Sequence, residues 1–179
     1  MEKIKIHDKY FKPFIDRKEI DKAVQKIADN INRDYEGKVP LFLVILNGSF
    51  MVAADLLKKI TLECEISFVK LASYSGTQST ETIRELIGFD EDIKGRDIII
   101  IEDIIDTGFT MERVLHQLKE KGAASVKIST LLFKPEAFKK SYTIDYIGKE
   151  IPNRFIVGYG LDYDRRARNL PDIYVITDE

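Results

Sequence analysis

IIIIEDIIDTGFT, residues 98–110, runs from four consecutive isoleucines into three carboxylates and a small-residue turn. β-Branching favours an extended backbone, and an apolar run without alternation fits a strand covered on both faces. Beyond it, Met111, Val114, Leu115 and Leu118 recur at helical spacing, so 110–121 is predicted to be a helix with Gly122 as its C-terminal stop. In open α/β sheets, ligands bind outside the carboxyl ends of strands, in the loop before the next helix. That loop is predicted to hold Glu102, Asp103 and Asp106, then Thr107, Gly108, Phe109 and Thr110. Its small residues leave backbone N–H groups free at a helix N-terminus, a device suited to phosphate. Carboxylates beside it can hold sugar hydroxyls or a hard cation such as magnesium. The plainer alternative is that Asp106 or Thr107 only caps the helix while Glu102 and Asp103 are solvated. Two rival motifs are excluded: no G-x-x-x-x-G-K-[ST] occurs, and Gly158 and Gly160 lack the third glycine and the helix of a dinucleotide fingerprint.

Working outward, Asp16 and Glu19 have capping-box spacing ahead of Ile20, Val24, Ile27 and Ile31, which predicts an amphipathic helix over 17–34. LFLVIL at 41–46 is a buried strand, a glycine turn follows at 47–48, and FMVAADLLKKI is a second helix. CEISFVKL at 64–71 and VKISTLLF at 126–133 are further strands. The alternation gives the fold class α/β: a mostly parallel twisted sheet flanked by helices. The tail 144–176 offers only short strand-like pieces, IDYI, FIVG and IYVI, and is expected to form a small hood. The stretch 72–82 is too polar for a core and is a candidate lid. With no repeat and no linker, 1–179 is expected to be a single domain, the hood coming mainly from about 135–179 and the N-terminal segment.

Length and composition agree with this picture. The 179 residues are 44% hydrophobic and 32% charged, which suits a globular enzyme rather than a disordered chain. A formal net charge of -2 gives no overall basic field for nucleic acid or an anionic membrane. The single cysteine, Cys64, suits a reducing compartment, and the charged N-terminus lacks the apolar core of a signal peptide, so a cytoplasmic location is expected. His7, His116 and Cys64 have no ligand-spaced partners and receive no function.

Residues 98–110 resemble the PRPP-binding signature of type I phosphoribosyltransferases, and EDIIDTG is similar to the form found in hypoxanthine-guanine phosphoribosyltransferases. Four more segments match in order: LNGSF at 46–50 as a pyrophosphate loop, SYSGTQST at 73–80 as a mobile loop, LLFKPEAF at 131–138, and FIVGYGLDYDRRARNLPDIYVI at 155–176. The resemblance implies the type I phosphoribosyltransferase fold and transfer of a 5-phosphoribosyl group from PRPP to hypoxanthine, and also guanine, giving IMP or GMP and pyrophosphate in purine salvage. A PRPP-sensing regulator of the same fold is the alternative function class, and a related transferase for xanthine the alternative within enzymes.

The same resemblance implies the roles. Asp106 is the catalytic acid/base and, with Thr107, Gly108, Phe109 and Thr110, wraps the 5′-phosphate. Glu102 and Asp103 serve the ribose hydroxyls and, with Asp162, magnesium. Leu46, Asn47, Gly48 and Arg168 serve pyrophosphate, with a cis peptide at Leu46–Asn47, and Ser73 and Tyr74 close the lid. Lys134 donates to the purine O6, while Phe155, Ile156 and Asp162 complete the base site. Phe109 and Asn47 stand where family members often carry a basic residue. A homodimer or homotetramer is implied too.

Overall fold

The computed structural model describes residues 2–73, 83–87 and 92–178, with side chains at 72–73 and 83–87 outside the described part. The main sheet is built from β3 (Leu41–Leu46), β4 (Glu65–Ser73), β5 (Ile83–Ile87), β6 (Asp97–Ile105), β7 (Ser125–Phe133) and β8 (Tyr146–Glu150). Their order is β5-β4-β3-β6-β7-β8; all neighbours run parallel except β4 and β5. The helices α1 (Arg17–Asp34), α2 (Phe50–Leu57) and α3 (Phe109–Glu120) cover the two faces.

Strand period decides which face each residue serves. Phe42, Val44, Ile99 and Ile101 pack with Ile20, Val24, Ile27 and Ile31 of α1 and with Val52 and Leu56 of α2. The alternate set, Leu41, Leu43, Ile98 and Ile100, packs with Met111, Val114 and Leu118 of α3. All four isoleucines 98–101 are fully buried, each worth roughly 1.5–3 kcal/mol of transfer free energy. Helix α1 begins where predicted: Asp16 accepts from the N–H groups of Lys18 and Glu19, both at 2.8 Å. The reciprocal half of the capping box is replaced, because Glu19 pairs with Lys149 at 3.3 Å.

A second, antiparallel sheet orders β1 (Ile4–Ile6), β2 (Lys9–Ile15), β10 (Ile173–Thr177) and β9 (Ile156–Val157) around a small core of Ile6, Phe11, Val157 and Tyr174. One piece assigned to the hood from sequence lies elsewhere. Tyr146–Glu150, overlapping IDYI, is the parallel edge strand of the main sheet, hydrogen-bonded to β7 from Ser129↔Tyr146 to Phe133↔Glu150. Tyr146 is buried there, with its hydroxyl donating to Asp34 at the end of α1 at 3.1 Å. Of the lid, Tyr74 lies outside the described residues, and of Ser73 only the backbone, the last position of β4, is described. No helix among the described residues is long and apolar enough to cross a membrane.

Candidate active site

The carboxyl ends of β3, β6 and β7 are neighbours in the sheet, and three of the predicted segments end there. The sequence expectation placed Glu102 and Asp103 in the loop after a short strand; both instead belong to β6. The ladder to β7 continues through Glu102↔Thr130 and Ile104↔Leu132 to Ile105↔Phe133. Ile105 is buried against the α3 face, and that anchor carries the extended backbone past the acids. Only Asp106 and Thr107, with Gly108 as the α3 N-cap, form the turn.

That turn borders a cavity of about 120 Å³ lined by Glu102 and residues 104–111. Gly108 accepts the first helical bond, from Glu112 N at 3.1 Å, and also the Tyr142 hydroxyl at 2.8 Å. A Cβ at 108 would sit 2.6 Å from Phe138 and 2.8 Å from the Tyr142 oxygen, so the turn is clamped from the segment that follows β7. Burial pushes the Tyr142 hydroxyl further up, which keeps it a donor. Phe109 is 48% exposed at the start of α3.

The two acids of β6 are in an unusual state. Asp103 is 8% exposed, and burial pushes its carboxyl up to about 6 against the opposing effects of the Ile104 N–H, which donates to it at 2.7 Å, and the Arg168 charge. Glu102 is partly exposed as a residue, yet its Oε2 is enclosed and has no hydrogen-bond partner among the described residues. Burial, then the neighbouring Asp103 charge, push the Glu102 carboxyl well up. Two adjacent buried carboxyls short of positive charge are costly unless something cationic or hydrogen-donating completes them.

Asp103 provides a test of that cost. Its carboxyl holds a proton more tightly in the fold than at the ordinary 3.8, so its contribution to stability is full below about pH 3.8 and lost as pH rises through about 6. The loss amounts to roughly 3 kcal/mol at 1.36 kcal/mol per pH unit. Without divalent cations, Asp103→Asn should therefore melt several degrees above the parent at pH 7.5, and the gap should close toward pH 4. Equal melting temperatures at both pH values would mean the carboxyl is not desolvated.

Lys134 follows β7 and is only 7% exposed, with its ammonium 2.9 Å from Asp106 Oδ2. The pair joins two residues to which sequence gave separate tasks. At the end of β3 the Leu46–Asn47 peptide is cis, and Gly48 leaves the space that the Asp103 carboxylate fills. Gly160, from the hood, packs directly on the Gly48 carbonyl. Arg168 donates to the Gly160 carbonyl at 2.7 Å and pairs with Asp162 at 2.6 Å. Asp162 is therefore engaged with Arg168, and no cluster of three metal-binding side chains occurs among the described residues. Ile156 is buried in β9, while Phe155 is 45% exposed, packed edge-on to Tyr163 at 5.9 Å.

Four contributors escape the sequence reading: Ser49, buried with no partner for its hydroxyl among the described residues, and Gly160, Tyr142 and Lys140. The last three act across long separations, and only the glycine content of GYG hinted at a close approach.

The family model described as "Phosphoribosyl transferase domain" matches residues 15–164. The chain is 43% identical over 169 residues to the hypoxanthine-guanine phosphoribosyltransferase of Streptococcus pneumoniae, covering 94% of each. It is also 43% identical to that of Lactococcus lactis, covering 94% of this chain and 92% of the relative. Among solved structures, a hypoxanthine-guanine phosphoribosyltransferase from Bacillus anthracis superposes with a TM-score of 0.87 at 36% identity, covering 93% of this chain and 98% of that one.

Proposed function

The chain belongs to the phosphoribosyl transferase family, and on that premise we propose that it salvages purines, transferring the 5-phosphoribosyl group of PRPP to hypoxanthine and guanine. Such a transferase is a pentosyl glycosyltransferase that yields IMP or GMP and releases pyrophosphate. The observation that carries the reading is the convergence of an amide-rich turn, two cation-deficient carboxyls and a buried lysine on neighbouring strand ends. The regulatory alternative finds no support, since the relatives are named as transferases.

In this reading the turn at Thr107–Thr110 holds the 5′-phosphate with backbone amides and hydroxyls. Glu102 and Asp103 face the ribose hydroxyls. Leu46, Asn47, Gly48 and Arg168 hold the pyrophosphate. Lys134 donates to O6 of the base, which requires its ammonium to be shared with or released from Asp106. Phe155 offers its exposed ring to the base, backed by Phe11 and Tyr163, and the neighbouring Ile156 completes the base site. The bond from ribose C1 to the pyrophosphate oxygen breaks as a purine ring nitrogen bonds to C1, and the purine gives up a proton. Asp106 takes that proton at the purine N7 side. Ser73 and Tyr74 belong to the lid that keeps water from the activated sugar.

The donor set fits magnesium: the Glu102 Oε2, without a hydrogen-bond partner among the described residues, and the Asp103 carboxyl, which burial raises despite the Arg168 charge, are hard oxygen donors. Glu102 and Asp103 would hold it, with Asp162 on the pyrophosphate side. When bound, the ion neutralises charge that builds on the departing pyrophosphate. A cytoplasmic location, where PRPP and free bases occur, belongs to the same proposal.

The test is pyrophosphate release from PRPP and magnesium with hypoxanthine, guanine, xanthine or uracil in parallel. Hypoxanthine and guanine should turn over while uracil does not; activity confined to xanthine or uracil would reject the assignment. In the same assay Lys134→Ala should raise KM for the base roughly 10–100-fold, the worth of a charge-assisted hydrogen bond. KM for PRPP should stay within a few-fold, and an equal loss of both would remove Lys134 from the base site.

A further inference from the structure

The turn that receives the phosphate carries no positive charge of its own. Thr107, Gly108, Phe109 and Thr110 are neutral, Asp106 precedes them, and Glu112 lies one turn into α3. Lys134 is already bound to Asp106. A phosphate dianion entering here would meet acidic side chains on both sides, and the helix N-terminus alone offers about half a charge.

A cation is nevertheless built into the site from another part of the chain. The stem of Lys140 crosses the turn, its Cγ 3.0 Å from where a Cβ at Gly108 would be. Its ammonium lies 3.7 Å from the centre of the Phe109 ring and 2.6 Å from Glu112 Oε2. The side chain is 14% exposed, so this is a held lysine rather than a waving surface one. The aromatic face stabilises a cation over it, and the Gly108 clamp by Tyr142 and Phe138 fixes the segment that carries the lysine.

We propose that Lys140 is a phosphate-binding residue of this enzyme, parked on Phe109 and Glu112 until the 5′-phosphate arrives, then turned toward it. Phe109 holds the ammonium beside the turn, and Glu112 is the resting counter-ion that the phosphate displaces. This inference rests on the assignment of Thr107–Thr110 to the 5′-phosphate. The competing role is a strut, in which Lys140–Glu112 merely ties the loop to α3.

The two roles predict opposite results for the two partners. Binding of GMP and of guanosine is measured by calorimetry for the parent, Lys140→Met, Lys140→Arg and Glu112→Gln, with melting temperatures recorded alongside. Lys140→Met, which keeps the apolar stem, should weaken GMP about tenfold, the scale of one partly solvated charge pair. It should leave guanosine unchanged, and Lys140→Arg should restore most of the loss. Glu112→Gln should tighten GMP a few-fold, because it removes both the competitor for Lys140 and a repulsive charge. If Glu112→Gln weakens GMP as Lys140→Met does, the lysine is a strut and the proposal fails. It fails equally if Lys140→Met binds GMP like the parent. A parent that binds GMP no better than guanosine would instead overturn the phosphate assignment itself.

Discussion

Asp106→Asn should lower turnover by about 10²–10⁴-fold, the usual contribution of a positioned acid–base group, with a folded protein and a nearly unchanged KM. Asp106 sits at the first position after β6, and its carboxyl is 45% exposed, so an isosteric amide meets no packing penalty. The asparagine oxygen can still accept from Lys134, which is 2.9 Å from Asp106 Oδ2. What the amide cannot do is take a proton. The loss should therefore fall on kcat measured by pyrophosphate release and leave base and PRPP saturation close to the parent's. A variant turning over within threefold of the parent would move the proton transfer to another group.

The second large effect is expected at Gly160. Its φ of +98° lies in the region that side chains disfavour, and an added Cβ would overlap the Gly48 carbonyl oxygen. Neither side can yield easily. Gly160 N donates to the Arg168 carbonyl at 2.9 Å, and its own carbonyl accepts from the Arg168 guanidinium. Gly160→Ala should cost roughly 2–5 kcal/mol, combining left-handed strain with overpacking. It should also raise KM for PRPP, since any relief moves the loop at 46–48. Gly37→Ala is the control: its φ is +73°, but no atom of the described residues lies within 4 Å of an added Cβ. Both variants carry the conformational cost, and only Gly160→Ala should lose PRPP affinity. Equal losses in melting temperature, with PRPP affinity intact in both, would mean that the contact with Gly48 is unimportant.

Much of this was legible from residue pattern. Ile20, Val24, Ile27 and Ile31 marked one face of α1, and four isoleucines marked the strand that both faces bury. The continuation of β6 through Glu102 and Asp103 was not legible, because adjacent acids in a strand argue for its end. They are tolerated here since the β7 ladder and buried Ile105 hold the backbone beyond them. The place of β8 in the main sheet was missed for a different reason. Parallel neighbours are usually joined through a helix, yet Lys134–Asp145 connects β7 to β8 without one, so the alternation that revealed the other strands was absent. In the site, the acids of β6 and the turn could be found from local sequence, and Lys134 only through the family resemblance. The Lys134–Asp106 pair, the Tyr142 bond to Gly108 and the Gly160–Gly48 contact join residues 28, 34 and 112 positions apart. No local period encodes such meetings.

The hood sheet has a consequence for how the molecule is made. Strand β2, residues 9–15, takes β1 on one edge and β10, residues 173–177, on the other, with Ile15 opposite Ile173. The ribosome delivers the two partners roughly 160 residues apart, a delay of about 8–30 s at ~5–20 residues per second. Strands β3, β6 and β7 and helix α3 are delivered before then, so a nascent chain can own a finished turn at 106–108 while β9, beside the exposed Phe155, still lacks its β10 neighbour. Pulse-labelled hydrogen exchange on ribosome-bound chains arrested before β10 emerges should accordingly protect amides of β3, β6 and β7 but not those of β2 and β9; equal protection of all five would mean that the hood sheet forms without β10.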